Sequence, residues 1–168
     1  TFARPKEAKA ENVHLAETIR SCLFTLQSDF DHVHFETRDI PEDKYWKWDP
    51  NHLHQVLLNI LMNASQATSD LENPWVGIGW EKTDENEIIW IADNGPGLDP
   101  RIEDKIFDPF ATTKSSGSGL GLSIAQRLAL QNQARITIEQ RRGAGTGARA
   151  QIITPIQRVS TTQSNHHP

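Results

Sequence analysis

Between residues 51 and 69 the chain has no Asp, Glu, Lys or Arg, and its apolar positions recur at helical spacing. At about 100° per residue, Leu53, Val56, Leu57, Ile60, Leu61 and Ala64 form one face, with Leu58 and Met62 on its flank. Asp49 stands where an N-cap belongs and Pro50 fits the first turn. A helix without charge is expected to be largely buried. The same periodicity predicts a helix over 15–27, with Ile19, Leu23 and Leu26 on one face, and another over 120–131. Apolar alternation and bounding turn residues predict strands over 33–37, 45–48, 76–81, 87–93, 135–140 and 148–154. The acidic turn 82–86 gives the middle pair hairpin spacing, so they are expected to be antiparallel neighbours. Residues 94–119 carry at most a short helical turn. Residues 1–12 read as the end of an earlier element and a linker, 13–155 as the domain, and 156–168 as a polar, aperiodic, disordered tail.

One polar stripe interrupts the uncharged helix. Gln55, Asn59, Asn63 and Gln66 fall together between apolar flanks. Buried without partners, such amides are costly. Two readings stand: the amides bond neighbouring loops, or they line a cleft for a polar ligand. Amide oxygens also suit Mg²⁺, which takes oxygen donors and keeps waters and nucleotide phosphates in its shell.

The strand IIWIAD is apolar on both faces yet ends in Asp93, followed by NGPG. A carboxylate at the mouth of an apolar slot can accept a hydrogen bond from an exocyclic amine such as that of adenine, and Gly95 and Gly97 let backbone approach a flat base. A strand ending in an ordinary turn explains DNG but not the second glycine. Further on, SSGSGLGLSIAQRLAL sets Gly117, Gly119 and Gly121 at the start of a helix, where free N–H groups and the helix dipole favour phosphate. No Lys-Ser/Thr follows, so it is not a Walker loop. Lys114 reaches the same region as a mobile charge. Between the boxes, IFDPFATTK reads as a lid over 111–118 anchored by Phe107 and Phe110, although two phenylalanines are equally what a core uses.

Composition narrows the partners. The chain has 168 residues, 36% hydrophobic and 23% charged, with a net charge of −5, which fits one soluble domain without a basic surface for nucleic acid or anionic membrane. An anionic ligand must therefore be held by local features. The single cysteine, Cys22, excludes an internal disulfide and reads as a buried thiol. No apolar run approaches the roughly 20 residues of a membrane span. Because the chain starts at Thr1 rather than Met, it is expected to be a piece of a longer protein.

HQVLLNILMNASQA resembles the N box of bacterial sensor histidine kinases, DNGPG their first glycine box, FDPFATTK the F box and GSGLGL the second glycine box, in family order and spacing. TTK closely followed by GSGLGLSIA is most similar to the nitrogen-regulation branch. FARP at the start looks like the end of the dimerisation domain's second helix. The resemblance implies a Bergerat fold, an α/β two-layer sandwich with a mixed, mostly antiparallel sheet covered on one face by helices. It implies ATP and Mg²⁺ as ligands, with Asn63 on the metal and Asn59 one turn earlier by the phosphates. Asp93 would take adenine beside Gly95 and Gly97, and Gly117, Ser118, Gly119, Leu120 and Gly121 the phosphates. Phe110, Thr113 and Lys114 would face the nucleotide from the lid, and Thr146 would support the adenine aspartate. The catalytic group is Asn59, Asn63 and Lys114.

The implied reaction is transfer of the γ-phosphoryl to a histidine on a separate dimerisation domain. A response-regulator receiver is the downstream partner, a homodimer the full-length state, and the cytoplasm the domain's compartment. Gln66 and Ala67 depart from the basic and aromatic residues many relatives carry there, which shifts phosphate neutralisation toward Mg²⁺ and Lys114. No histidine is followed by Glu or Asp in an acceptor pattern, so the acceptor is expected elsewhere. His32 and His34 have ligand-like spacing but no evident third ligand. Rival readings are an ATP hydrolase of the same superfamily, which would keep a general-base Glu where Asn59 stands, and a nucleotide-binding regulatory module without catalysis.

Overall fold

The computed structural model describes residues 7–110, 121–141, 143 and 145–157. The elements run β1 (Glu11–His14), α1 (Leu15–Leu26), β2 (His34–Arg38), β3 (Tyr45–Trp48), α2 (Pro50–Thr68), β4 (Trp75–Lys82), β5 (Asn86–Asp93), a 3-10 turn (Glu103–Lys105), α3 (Gly121–Gln131), β6 (Arg135–Gln140) and β7 (Ala148–Pro155). A five-stranded sheet has the order β2-β4-β5-β7-β6, in which β2 pairs parallel with β4 and every other neighbour is antiparallel. The mixed, mostly antiparallel expectation holds, including the β4–β5 hairpin.

The alternation of each strand decides which layer it feeds. Val76 and Ile78 of β4, Ile89 and Ile91 of β5, Ile136 of β6, and Ala150 and Ile152 of β7 point to the helices and are buried. They meet Leu15, Ile19, Cys22 and Leu26 of α1, the apolar face of α2, and Ala125 and Ala129 of α3. Each large aliphatic side chain fully buried here contributes about 1.5–3 kcal/mol over its exposed state. Desolvation in this layer pushes the Cys22 thiol up to about 12, and the thiol donates to the His54 carbonyl with Sγ 3.7 Å from the oxygen. The cysteine is structural.

Strand β1 falls partly in the stretch expected to be linker. It pairs antiparallel with β3 from Glu11↔Trp48 to His14↔Tyr45. Its sequence, ENVH, buries only Val13, so long-range pairing rather than local pattern makes it a strand. At the other end, Ile156 donates its N–H to the Glu85 carbonyl at 2.8 Å, and the remainder of the expected tail from 158 lies outside the described residues.

Asp49 caps α2, accepting from the N–H groups of Asn51 (2.9 Å) and His52 (3.3 Å), with Pro50 in the first turn. Its other oxygen accepts the Lys9 N–H at 3.0 Å. Asn132, just past α3, accepts the Asp49 N–H at 2.9 Å and donates to the Leu128 carbonyl at 2.8 Å. These two bonds fix its amide orientation, so the His52 Nδ1 at 3.0 Å from its Nδ2 is the acceptor. The clasp joins the incoming chain, the start of α2 and the end of α3. His14 has a similar structural job: its Nδ1 accepts the Glu17 N–H at 3.1 Å to cap α1, which leaves Nε2 to donate to the Glu42 carbonyl at 2.6 Å.

Candidate functional site: the end of β5 and the amide stripe of α2

Helix α2 packs against α1, α3, β4 and β5, and its burial follows the predicted face: Leu53, Val56, Leu57, Ile60, Leu61 and Ala64, with Ser65 and Thr68. Gln55 and Gln66 are exposed, while Asn59 and Asn63 are half-buried. The helix is therefore buried on its apolar face and open along its amide stripe. Gln55 donates to Asn59 Oδ1 at 2.7 Å, and Asn59 Nδ2 donates to the Gly121 carbonyl at 3.1 Å. Asn59 thus fastens α2 to the first residue of α3, one turn from Asn63. Among the described residues, a Cβ at Gly121 would meet nothing within 4 Å.

Asp93 is 5% exposed at the end of β5. Its Oδ1 accepts the Gly95 N–H at 2.9 Å and the Ala148 N–H at 3.3 Å, which satisfies one oxygen from the turn after it and from the neighbouring strand. The glycines around it are required by close approach. A Cβ on Gly95 would come to 2.8 Å from the Ala67 carbonyl of α2. Gly97 adopts φ +86 and a Cβ there would run into Gln140 Oε1; Gly147 adopts φ +134 and would strike the Asp93 carbonyl. Asn94 holds the other side, accepting the Trp75 N–H at 2.9 Å and donating to the Asn73 carbonyl at 2.8 Å. The result is a carboxylate held at the rim where β5, β7 and α2 meet.

Other expected site residues fall differently. Thr146 is exposed, and from the same segment the Ala148 N–H donates to Asp93. Phe107 packs against the core, but Phe110, at φ +67, is 72% exposed; the expectation of two apolar anchors is corrected to one. The lid 111–118, with Thr113, Lys114, Gly117 and Ser118, and also Gly119 and Leu120, lies outside the described residues. Sequence reasoning passed over Gly147, Ala148, Gln140 and Asn94. Only Gly147 carried a signal, as the last glycine of RRGAGTG before a strand. Among the described residues no group of three His, Cys, Asp or Glu is placed to hold a metal ion.

Residues 48–158 match the histidine kinase-, DNA gyrase B- and HSP90-like ATPase family, and the chain belongs to it. Within that family it is similar to sensor kinases. It is 37% identical over 157 residues to the signal transduction histidine-protein kinase AtoS of Escherichia coli, covering 92% of this chain and 25% of AtoS. It is 31% identical over 147 residues to the sensory histidine kinase/phosphatase NtrB of Vibrio alginolyticus, covering 81% of this chain and 41% of NtrB. The catalytic domain of histidine kinase ThkA superposes with a TM-score of 0.76 at 28% identity, over 88% of this chain and 95% of that one. The same kinase in complex with the response regulator TrrA matches with a TM-score of 0.73 at 26% identity, over 88% of this chain and 42% of that chain. The chain is homologous to sensor histidine kinase catalytic domains and has their fold, and it spans well under half of the curated relatives it matches.

Proposed function

We propose that this domain binds Mg·ATP and presents its γ-phosphoryl to a histidine on the dimerisation domain of the same protein, for relay to a response-regulator receiver. The observation that carries the reading is Asp93, a buried carboxylate held by two backbone N–H groups beside the amide stripe of α2. Asp93 accepts the adenine amine, and Gly95 and Gly97 keep the rim thin enough for the base. The phosphates run toward the start of α3 and the glycines before it, with Lys114 and Thr113 from the lid, while Thr146 supports Asp93.

Asn63 is the residue that holds Mg²⁺. A site with amide oxygens and no carboxylate cage fits a cation whose shell is filled mostly by water and phosphate oxygens. When bound, the cation neutralises charge on the phosphates. Phosphoryl transfer asks for positioning and charge neutralisation more than covalent help from the protein. The acceptor imidazole nitrogen forms the new N–P bond as the bond from phosphorus to the ADP oxygen breaks. Asn59 positions the site through its hold on Gly121.

The hydrolase reading needs a general base one turn before Asn63. Asn59 stands there, an amide that cannot take a proton from water at neutral pH and whose two ends already serve Gln55 and Gly121. ThkA with its response regulator supports a receiver as partner. We infer a cytoplasmic domain in a homodimeric protein; among the described residues no helix is long and apolar enough to cross a membrane. Calorimetry tests the binding step. ATP and ADP should bind in the presence of magnesium and GTP should not, since guanine presents a carbonyl where Asp93 needs a donor; equal binding of GTP would remove Asp93 from base recognition.

A further inference from the structure

The face of the sheet turned away from the helices is built unlike an ordinary solvated face. The two glycines of β4, Gly77 and Gly79, leave room for indoles to lie down. A Cβ on Gly77 would come to 2.5 Å from the Trp75 ring, and one on Gly79 would run into the Trp90 ring. Each indole carries a guanidinium: Arg141 lies 4.8 Å from the Trp75 centroid and Arg149 lies 5.1 Å from that of Trp90. Both stacks, with Arg38 and Gln140, line one cavity of about 290 Å³.

Two guanidinium groups of this lining have hydrogen-bonding capacity to spare. Arg149 gives Nη2 to Glu81 at 2.9 Å, but its Nε is shielded from solvent and has no hydrogen-bond partner, a state that buried donors rarely keep. Arg141 has no carboxylate partner among the described residues, whereas Arg38 is paired with Glu36. Of the three arginines in the lining, Arg38 and Arg149 are paired with Glu36 and Glu81, so Arg141 is the guanidinium left to meet an added oxyanion. Guanidinium forks match planar oxyanions, and indole faces match flat apolar bodies. Glu139 in the lining and Glu36 and Glu81 beside it disfavour a dianion.

We propose that this cavity is a second ligand site, separate from the nucleotide cleft, that binds a small aromatic monocarboxylate. The site backs onto the Asp93 rim. Gln140 donates to the Leu98 carbonyl at 2.8 Å and abuts Gly97, and the Arg141 N–H donates to the carbonyl of Gly147 at 2.8 Å. Given the nucleotide reading above, occupancy should therefore change ADP affinity, and ADP should change carboxylate affinity by the same factor.

The test uses this chain with ¹⁵N-labelled tryptophan and benzoate as the probe. The indole signals of Trp75 and Trp90 should move saturably while those of buried Trp46 and Trp48 stay. Uncharged benzamide and inorganic phosphate should each bind at least about tenfold more weakly, because each offers only half of the chemistry. Arg141→Gln should weaken benzoate about tenfold with the remaining spectrum unchanged, and Arg141→Lys should restore only part of it. Indole signals that do not respond to benzoate, a response unaltered in Arg141→Gln, or phosphate binding as well as benzoate would each overturn the assignment. These readouts need no nucleotide, so failure of the nucleotide reading leaves them intact; benzoate binding without any effect on ADP overturns only the coupling.

Discussion

Asn59 donates its side-chain amide to the carbonyl of Gly121 at 3.1 Å, tying the middle of α2 to the first residue of α3. Both ends of its amide are used, and neither a carboxylate nor an alkyl group can replace the donor. Asn59→Ala should cost about 0.5–1.5 kcal/mol in chemical denaturation and weaken ATP and ADP together by loosening the start of α3. Asn59→Glu should weaken ATP more than ADP, because it sets a negative charge near the phosphates as well. Equal weakening of the two by Asn59→Glu would place the residue away from the γ-phosphate.

Asp93→Asn leaves an oxygen for the Gly95 and Ala148 N–H groups but puts an amide where an acceptor stood. We expect the fold to survive and the affinity for ATP and ADP to fall by a similar factor of about 10 or more, the loss of one buried charge-assisted bond. Unchanged affinity for both, with an intact spectrum, would exclude Asp93 from the nucleotide site.

Much of this rim was legible in the chain, and the reasons are local. The 3.6-residue period of α2 was visible because no charge breaks it, so the stripe with Asn59 and Asn63 could be placed on one side. The end of β5 was visible because a carboxylate closing an apolar run is unusual. What stayed hidden depends on approach between distant segments. Gly147 needs φ +134 and sits against the Asp93 carbonyl, and neither fact can be read from RRGAGTG. Gln140 reaches Leu98 from a strand 42 residues away in sequence, and β1 exists through its partner β3. Phe110 shows the opposite failure: the sequence pairs it with Phe107 as an apolar anchor of the lid, and it stands 72% exposed.

Acid stability should report the clasp at Asp49. Burial works to raise its carboxyl, but the N–H groups of Lys9, His52 and Asn51 and the nearby His52 ring outweigh this and hold its pKa below the ordinary value. A carboxyl depressed in the folded state stabilises above its unfolded pKa, about 3.9, and that contribution is lost as pH falls through the folded value. Asp49→Asn keeps a capping oxygen but not the charge. Its stability should therefore lie below wild type at neutral pH and converge with it on acidification below about pH 4. Parallel curves at all pH values would show that the Asp49 charge contributes nothing.

The most direct measurement of the central claim is phosphoryl transfer in trans. This chain, incubated with magnesium and γ-labelled ATP, should remain unlabelled, because none of its seven histidines stands in an acceptor pattern. Added to the dimerisation domain of the same protein, it should place an acid-labile, base-stable phosphate on that domain, and Asn63→Ala should abolish the transfer while ADP still binds. Stable label on this chain's own histidines, or full transfer by Asn63→Ala at ordinary magnesium concentrations, would contradict the account.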